Sequence, residues 1–589
     1  MIDFRNLNIL WSSILVETLQ RLGLATAIIC PGSRSTPLTI AFAQHQAIET
    51  IPILDERSAA FFALGIAKKS GLPVVLVCTS GTAGANFYPA VIEAKESSVP
   101  LIILTADRPP QLRNCHAGQT IDQVKLYGNY PNWQAELALP KADIGMLRYL
   151  RQNIIHAWER SLFPVKGVVH LNLPFQEPLA PTPQPEVEVI KSQFPIKDFF
   201  AHIPNSYPFT LPSSSLSFPF QQWQSSPRGI IIAGLAQPAK PEQYCRAIAY
   251  LSETLQFPVL AEALSPIRNY ADLNPYLIST YDCILRNERL ASQLTPDVVI
   301  QVGELPTSKQ LRSWLEQTQC QRWIISPHPD NFDSLNGNSV HLRTSIEELI
   351  DRISAYCQKE TNSSNFPVDY LQKWCEADKQ IRKAIDKTME TLEVFYDGKA
   401  AWLLSRSLPP QTPIFIANSM SVRNVEFFWQ PNNSKVIPYF NRGANGIDGT
   451  LSTALGIAHR HQSAVILTGD LALLHDTNGF LIGKKFQGHL TIILINNNGG
   501  GIFEALPIAE FDPPFEECFA TPQQIDYGKL CATYGVEYKL IDNWAWFEDL
   551  LSTLPTIGIR VLEIPTNRKT DTLWLQNNLP IFARNIILS

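Results

Sequence analysis

The sequence predicts an α/β protein built as three doubly wound, parallel-sheet domains. Three observations carry this. Short apolar runs alternate with segments of helical spacing along most of the chain. Its 589 residues are too many for one hydrophobic core. The stretch from Ala464 to Gly501 reads as strand, helix, strand, with polar groups directly after each strand. A crossover of that kind is right-handed and leaves its two strands parallel.

The first domain spans 1–190. Leu7 to Leu22 has helical spacing, and Ala25 to Cys30 is a strand broken by Pro31-Gly32. Ser33 and Ser35 are candidate N-caps for a helix from Thr36-Pro37, where Pro suits the first turn. Ile51 to Leu54 is strand-like, a helix runs from Ser58 to Lys69, and Val74 to Cys78 is the next strand. Thr79-Ser80-Gly81-Thr82 opens a further helix, and Leu101 to Thr105 is another strand. Glu56 stands where a strand end meets a helix start, a place that also suits an ordinary first-turn Glu facing the helix dipole.

A linker, 191–227, lies in a stretch rich in Pro, Ser and Phe. The second domain, 228–357, has strand-like runs at Gly229 to Ala233, Val259-Leu260, Val298 to Val302 and Trp323 to Ser326, without a Gly-rich phosphate fingerprint. A second linker, 358–369, leads to the third domain, 370–589. It opens with an amphipathic helix, Tyr370 to Leu392, then strands at Pro413 to Ala417 and Val436 to Tyr439. Ser419 follows a strand and can donate to a diphosphate; Arg423 can meet a substrate carboxylate. Asn441 to Gly449 is a Gly-rich turn whose N–H groups can meet an anion at the next helix.

In the strand-helix-strand stretch, Asp470 and Asn497 stand 27 residues apart, after the runs Ala464 to Leu467 and Leu490 to Ile495. Ligands bind at such strand ends in open α/β sheets. A carboxylate, an amide oxygen and the Gly499 carbonyl are hard oxygens, few in number, which suits Mg²⁺ completed by water and phosphate. Either half alone also fits a plain turn; the spacing and the βαβ context favour a metal–diphosphate site.

Composition narrows the function classes. Hydrophobic residues make up 45% and charged residues 17%, and the net charge of −6 with no long basic run argues against nucleic-acid binding. The ten cysteines are scattered with no C-x-x-C pair, so neither a zinc site nor a disulfide framework is expected. The N-terminus lacks a signal pattern and no apolar run spans a membrane, so the expectation is a soluble, cytoplasmic protein.

Gly469-Asp470 with the later Asn-Asn-Asn-Gly-Gly resembles the diphosphate motif of thiamine-diphosphate (ThDP) enzymes, although Leu471 stands where many members have Gly. That Leu is similar to one branch, the 2-succinyl-5-enolpyruvyl-6-hydroxy-3-cyclohexene-1-carboxylate (SEPHCHC) synthases of menaquinone and phylloquinone biosynthesis. So are Pro31 to Pro37, Asp55 to Ala60, Thr79 to Ala83, Leu104 to Pro110, His116 to Gln123, Arg442 to Gly449 and Glu563 to Arg568.

The resemblance implies three domains of the ThDP-enzyme type, with 1–190 binding the pyrimidine and 370–589 the diphosphate, and the cofactors ThDP and Mg²⁺ or Mn²⁺. It makes Glu56 the partner of the aminopyrimidine ring, where a carboxyl favours the imino tautomer. Ser419, Asn445, Gly446, Ile447, Gly469, Asp470, Leu471, Ile502 and Phe503 then surround the cofactor, with Ile447 as the apolar prop. Asp470, Asn497 and Gly499 hold the metal. Ser33, Arg34 and Gln119 join Glu56 as catalytic residues. Ser33, Arg34, Arg108, Gln119, Lys309, Arg423, Arg442 and Leu506 face the substrates, Arg being suited to carboxylates by its planar fork.

Some positions keep a second reading. Lys309 equally fits an exposed helix start, and Ile502, Phe503 and Leu506 fit either a dry active-site wall or core packing. Arg57 and Arg113 read as solvated surface charges and His475 as structural. The implied reaction is decarboxylation of 2-oxoglutarate and addition of the resulting carbanion to isochorismate, giving SEPHCHC and CO₂. Another ThDP-dependent 2-oxoacid decarboxylase, an acetohydroxyacid synthase-like carboligase, and a non-catalytic diphosphate-binding protein are the competing readings. Family architecture implies a homodimer or homotetramer, with Glu56 acting across the subunit interface.

Overall fold

The computed structural model describes residues 2–201, 203, 219–318, 320–357, 369–584 and 586. The alternation becomes three six-stranded sheets. The first contains β1 (Thr26–Ile29), β2 (Glu49–Pro52), β3 (Val74–Cys78), β4 (Leu101–Asp107), β5 (Trp133–Glu136) and β6 (Val168–Pro174), in the order β2-β1-β3-β4-β6-β5. The second contains β7 (Gly229–Ala233), β8 (Val259–Ala261), β9 (Leu277–Ile278), β10 (Val298–Val302), β11 (Gln321–Ile325) and β12 (Ser339–Leu342), in the order β12-β11-β10-β7-β8-β9. The third contains β13 (Pro413–Ile416), β14 (Ile437–Tyr439), β15 (His461–Gly469), β16 (Gly488–Asn496), β17 (Glu537–Leu540) and β18 (Gly558–Pro565), in the order β14-β13-β15-β16-β18-β17.

Counted from its own first strand, the third sheet repeats the order of the first, whereas the second has the doubly wound order of dinucleotide-binding sheets. The neighbouring pairs with assigned register are parallel throughout, from β1 with β3 to β17 with β18. Central strands such as β3, β4, β7 and β10 are buried along their whole length, which is why they read as unbroken apolar runs. Six strands were not expected from the sequence: β5, β6, β9, β12, β17 and β18. Of these, β5 and β17 are half-exposed and mix polar with apolar residues, and β9 is two residues long.

The chain divides into two compact units. The first is 1–212 with 441–462 and 472–490; the second is 213–440 with 463–471 and 491–589. In the first unit the helix Glu56–Ser70 crosses the helix Thr450–Ala458 at a pair of glycines. A Cβ on Gly65 would stand 2.1 Å from the Thr453 carbonyl oxygen, and one on Gly456 would stand 2.2 Å from that of Phe62. Only hydrogen fits at both points, so the two backbones touch directly.

In the second unit one apolar cluster runs from Ile230 and Leu260 through Trp374, Trp402 and Phe428 to Val465, Ile493 and Leu562, so the second and third sheets share a core. A fully buried guanidinium, Arg268, spans it, pairing with Glu426 at 3.0 Å and donating to the carbonyls of Ala261 and Glu426. Glu426 also accepts the Tyr281 hydroxyl and the Ala263 amide. Such a pair persists only because its remaining hydrogen-bonding groups are satisfied.

Several local expectations change. The helix Thr36–Gln44 has no side-chain cap: the Ser35 hydroxyl turns back to the Gly32 carbonyl at 3.1 Å, and Ser33 offers its backbone carbonyl to Thr36 instead. The strand expected at Ile51 to Leu54 lies two residues earlier, because β2 pairs Glu49 with Thr26 and leaves Leu54 exposed. Residues 204–218 of the first expected linker and 358–368 of the second lie outside the described residues. The described flanks of the first carry the helices Ile196–Phe200 and Phe220–Gln224, with Phe199, Phe200 and Phe220 buried. Among the described residues, no helix is long and apolar enough to cross a membrane.

Candidate active site

In the first unit, Glu56 is the first residue of its helix and is half-buried. Burial, with the neighbouring Asp55 carboxylate, holds its carboxyl above the usual carboxylate range. Its flanking residues are both tied down. Asp55 caps the helix by accepting from the Ser58 amide at 3.0 Å, and its other oxygen accepts from Asn478 Nδ2 at 2.7 Å. Arg57, a partly solvent-exposed charge, also donates to the His475 carbonyl at 2.7 Å and so acts as a tether. His475 enters through its backbone. Next to it, fully buried Asp476 accepts from the amide and hydroxyl of Ser452, and burial pushes its carboxyl up to about 6.

The candidate substrate residues of this unit converge on Ser80. Arg108 donates to its hydroxyl at 2.5 Å, and Gln119 Nε2 donates to its carbonyl at 3.0 Å. Gln119 has φ of 57° and Asn445 φ of 61°, left-handed conformations in which functional sites store strain. Arg34 is buried, its backbone amide donating to Thr79 Oγ1 and its side chain to the Phe175 carbonyl at 3.0 Å, with Glu177 at 3.3 Å. Its Nε has no hydrogen-bond partner. Burial first, then the nearby Arg108, lowers the Arg34 pKa. Two guanidinium groups that disfavour each other, one with an unused donor, suit an incoming carboxylate. Ser33 is exposed beside them. Arg113 differs from expectation: it pairs with Asp107 at 2.9 Å and Glu136 at 2.7 Å, an internal brace.

The Gly-rich turn is also filled differently. The amides of Gly443 and Ala444 donate to the two oxygens of Glu93 at 3.1 and 2.7 Å, and Lys68 Nζ lies 3.7 Å from that carboxylate. The anion meeting these two N–H groups is therefore the chain's own Glu93, buried on the helix Tyr88–Glu96. A Cβ on Gly443 would crowd Glu96 Cβ and the Glu93 carbonyl, so the turn lies flat against that helix. Asn441 is pinned to Thr453 Oγ1 at 3.0 Å. Arg442, Gly446 and Ile447 are partly exposed, and Asn445 exposed, in the remainder of this pinned segment.

In the second unit, Asp470 directly follows β15 and begins the helix Asp470–His475, and Asn497 follows β16, the neighbour of β15 in the sheet. Asp470 accepts from the amides of Leu471 at 2.8 Å and Gly499 at 2.7 Å. Burial raises its carboxyl to about 6 against those bonds and the charge of Arg568. Asn497 is 8% exposed and its Oδ1 has no partner. Gly499 has φ of 128°, and a Cβ there would stand 2.3 Å from the Ala520 carbonyl oxygen, so glycine is required. A Cβ on Gly469, by contrast, would meet nothing within 4 Å.

Among the described residues no group of three or more His, Cys, Asp or Glu could hold a metal. A cation here would rest on one buried carboxylate, an amide oxygen and a carbonyl, with phosphate oxygens from a ligand over Gly469. The orphaned Asn497 oxygen and the open face of Gly469 fit that arrangement.

Ser419, between β13 and the helix Met420–Phe428, has φ 67° and ψ −129°, and its carbonyl accepts from Arg423 at 2.6 Å. A serine in this conformation stores roughly 1–3 kcal/mol of strain. Ile502, Phe503 and Leu506 are half-buried around the helix Gly501–Glu504, and Phe503 meets Phe519 edge-on at 5.8 Å. Lys309 is exposed at the start of the helix Lys309–Thr318, behind the capping hydroxyl of Ser308.

Sequence reasoning missed Ser80, Glu93, Asn478 and Arg568. Ser80 and Arg568 stand inside the quoted motifs Thr79 to Ala83 and Glu563 to Arg568, so the signal existed without a role. Glu93 and Asn478 carried none, because their partners are 350 residues or more away in the chain.

Residues 11–126 match the family model described as "Thiamine pyrophosphate enzyme, N-terminal TPP binding domain", and residues 213–416 match "Middle domain of thiamine pyrophosphate". A solved structure, a thiamine diphosphate-dependent 4-hydroxybenzoylformate decarboxylase of Rhodococcus jostii RHA1, is similar with a TM-score of 0.67 over 95% of this chain and 99% of that one. At 15% identity this likeness establishes the fold. The 2-succinyl-5-enolpyruvyl-6-hydroxy-3-cyclohexene-1-carboxylate synthase of Gloeothece citriformis is 68% identical, covering 99% of both chains. That of Trichormus variabilis is 62% identical over the whole of both. With identity of this order over essentially the whole of both chains, the chain belongs to the 2-succinyl-5-enolpyruvyl-6-hydroxy-3-cyclohexene-1-carboxylate synthase family of thiamine pyrophosphate enzymes.

Proposed function

We propose that this chain is a ThDP- and Mg²⁺-dependent carboligase that decarboxylates 2-oxoglutarate and adds the resulting four-carbon carbanion to isochorismate, forming SEPHCHC and CO₂. The observation that carries the site reading is the buried, partnerless Asn497 Oδ1 at the strand end next to that of buried Asp470. ThDP, when bound, supplies the electron sink for the carbanion. The chain's residues supply position and environment. Asp470, Asn497 and the Gly499 carbonyl hold the cation at the diphosphate, Mn²⁺ being an equivalent hard ion. Residues 370–589 then form the diphosphate region and 1–190 the pyrimidine region, with 228–357 as the middle domain between them in the sequence.

Glu56 holds a proton at the pyrimidine nitrogen, a task that its raised pKa favours. Ile447 props the cofactor, and Ile502, Phe503 and Leu506 keep water from the reacting carbon. Arg34, Arg108, Arg423, Arg442 and Lys309, with Ser33 and Gln119, receive the substrate carboxylates. CO₂ release from 2-oxoglutarate, measured with and without isochorismate, tests the reaction. Glu56→Gln is expected to lower turnover by about 10²-fold or more, the usual weight of a positioned acid–base group. Full activity in that variant, or turnover of pyruvate without isochorismate, refutes the assignment.

We also infer a homodimer or homotetramer in which Glu56 of one copy serves the metal residues of another. Co-expressing Glu56→Gln with Asp470→Ala, each strongly impaired alone, is then expected to restore activity, because one of the two sites in a mixed pair keeps both groups. A co-expressed mixture no more active than its parents would place both groups on one chain.

A further inference from the structure

Arg568, the last residue of the Glu563 to Arg568 motif, places a buried charge next to the candidate metal turn, and the proposed reaction gives it no task. It is 5% exposed and begins the helix Arg568–Arg584. The segment that carries it runs alongside the triple asparagine. The Thr566 amide donates to the Asn496 carbonyl at 2.9 Å, the Arg568 amide to that of Asn497 at 3.4 Å, and Arg568 Nη1 to that of Asn498 at 2.5 Å. Three successive carbonyls are therefore fixed from one side, the last by the guanidinium. This matters because Asn498 has φ of 61° and Gly499 φ of 128°, so the turn is held in a conformation that a free chain would leave.

The other faces of the same guanidinium reach the segment that follows. Nε donates to Glu504 Oε1 at 2.7 Å, and Nη2 pairs with Glu516. Glu504 ends the helix Gly501–Glu504 that carries Ile502 and Phe503. Glu516 opens a turn of π-helix, Glu516–Ala520, whose last carbonyl accepts the Gly500 amide at 2.7 Å. A planar fork with five donors on three nitrogens can serve a carbonyl and two carboxylates lying in different directions; a lysine's three donors share one nitrogen and lack that spread.

We propose that Arg568 is a positioning residue that locks the metal turn and the apolar wall into one rigid piece, so that cation affinity depends on Glu504, which is not a ligand, and only weakly on the more exposed Glu516. This rests on Asp470, Asn497 and Gly499 being the cation's ligands. The test is Mn²⁺ binding to the full-length protein in saturating ThDP, followed by electron paramagnetic resonance, with ThDP KM and kcat measured alongside. Arg568→Gln and Glu504→Gln are each expected to weaken Mn²⁺ binding at least tenfold, and Arg568→Lys to recover the melting temperature but not the affinity. Glu516→Gln, at the half-exposed end, is expected to weaken it less than threefold.

A folded Arg568→Gln with wild-type Mn²⁺ affinity overturns the proposal. Should that variant not fold, wild-type affinity in Glu504→Gln, where Arg568 is untouched, overturns it equally. Wild-type protein that binds no Mn²⁺ in the presence of ThDP refutes the metal assignment beneath it, a result distinct from either.

Discussion

Asp470→Ala is expected to abolish the rise in melting temperature that Mg²⁺ with ThDP gives the wild-type protein. Removing one partner of a buried charge pair costs about 3–5 kcal/mol. At 1.36 kcal/mol per tenfold that is roughly 10²–10⁴ in affinity for the cation–diphosphate pair. Saturating ligand at 100 times its dissociation constant stabilises by about 2.7 kcal/mol, so the loss is readable by thermal melting. Gly469→Ala separates the ligand from the fold: a methyl there meets nothing of the chain, so the ligand-free melting temperature stays put while ThDP affinity falls. A normal ThDP response in either variant removes this turn from the cofactor site.

The same carboxyl sets a pH dependence. Its folded pKa, about 6, lies above the ordinary aspartate value of 3.8. The stability it contributes is therefore complete below pH 3.8 and is lost as pH rises through 6. Above pH 6 the ligand-free protein carries a buried charge that costs about 3 kcal/mol, and a bound cation offsets it. The melting shift caused by Mg²⁺ and ThDP is accordingly expected to be larger at pH 7.5 than at pH 5, with the cation affinity falling about tenfold per unit below pH 6. An equal shift at both values contradicts the assignment.

Gly65→Ala and Gly456→Ala are expected to destabilise the protein by about 3 kcal/mol or more, against alanine's helix-propensity gain of about 1 kcal/mol. The atoms in the way, at 2.1 and 2.2 Å, are backbone carbonyl oxygens that no rotamer change can clear. The helices Glu56–Ser70 and Thr450–Ala458 must then move apart along a buried face that includes Phe61, Phe62, Leu451 and Leu455. Glu56 heads one of these helices, so activity is expected to fall with melting temperature. Gly535 offers no such control, since its φ of 70° strains any side chain; Gly118, with open space around it, does. Melting curves of Gly65→Ala and Gly118→Ala that superpose would show the crossing to be looser than described.

Buried strands without polar residues were legible because burial on both faces leaves a plain apolar run: Val74–Cys78, Gly229–Ala233 and Val298–Val302 have the bounds that their runs predict, whereas β6, equally buried but interrupted by His170 and Asn172, was missed. Edge and polar strands such as β5 and β17 were not legible, since one exposed face removes the signal. The turn proposed for the metal was readable for a related reason. Asp470, Asn497 and Gly499 are placed by short-range backbone geometry, a strand end and a glycine at positive φ, and these leave residue types at a fixed spacing.

The amino-acid sequence alone determined the α/β class, the strand-end acid and amides, and the family, because each is written in local periodicity or in contiguous motifs. Only the tertiary structure decided that Glu93 fills the Gly-rich turn, that Ser80 gathers Arg108 and Gln119, and that Arg57 and Arg113 brace the chain. Whether a charge is solvated or buried depends on which distant segment packs over it, and segments 350 residues apart leave no trace in each other's spacing.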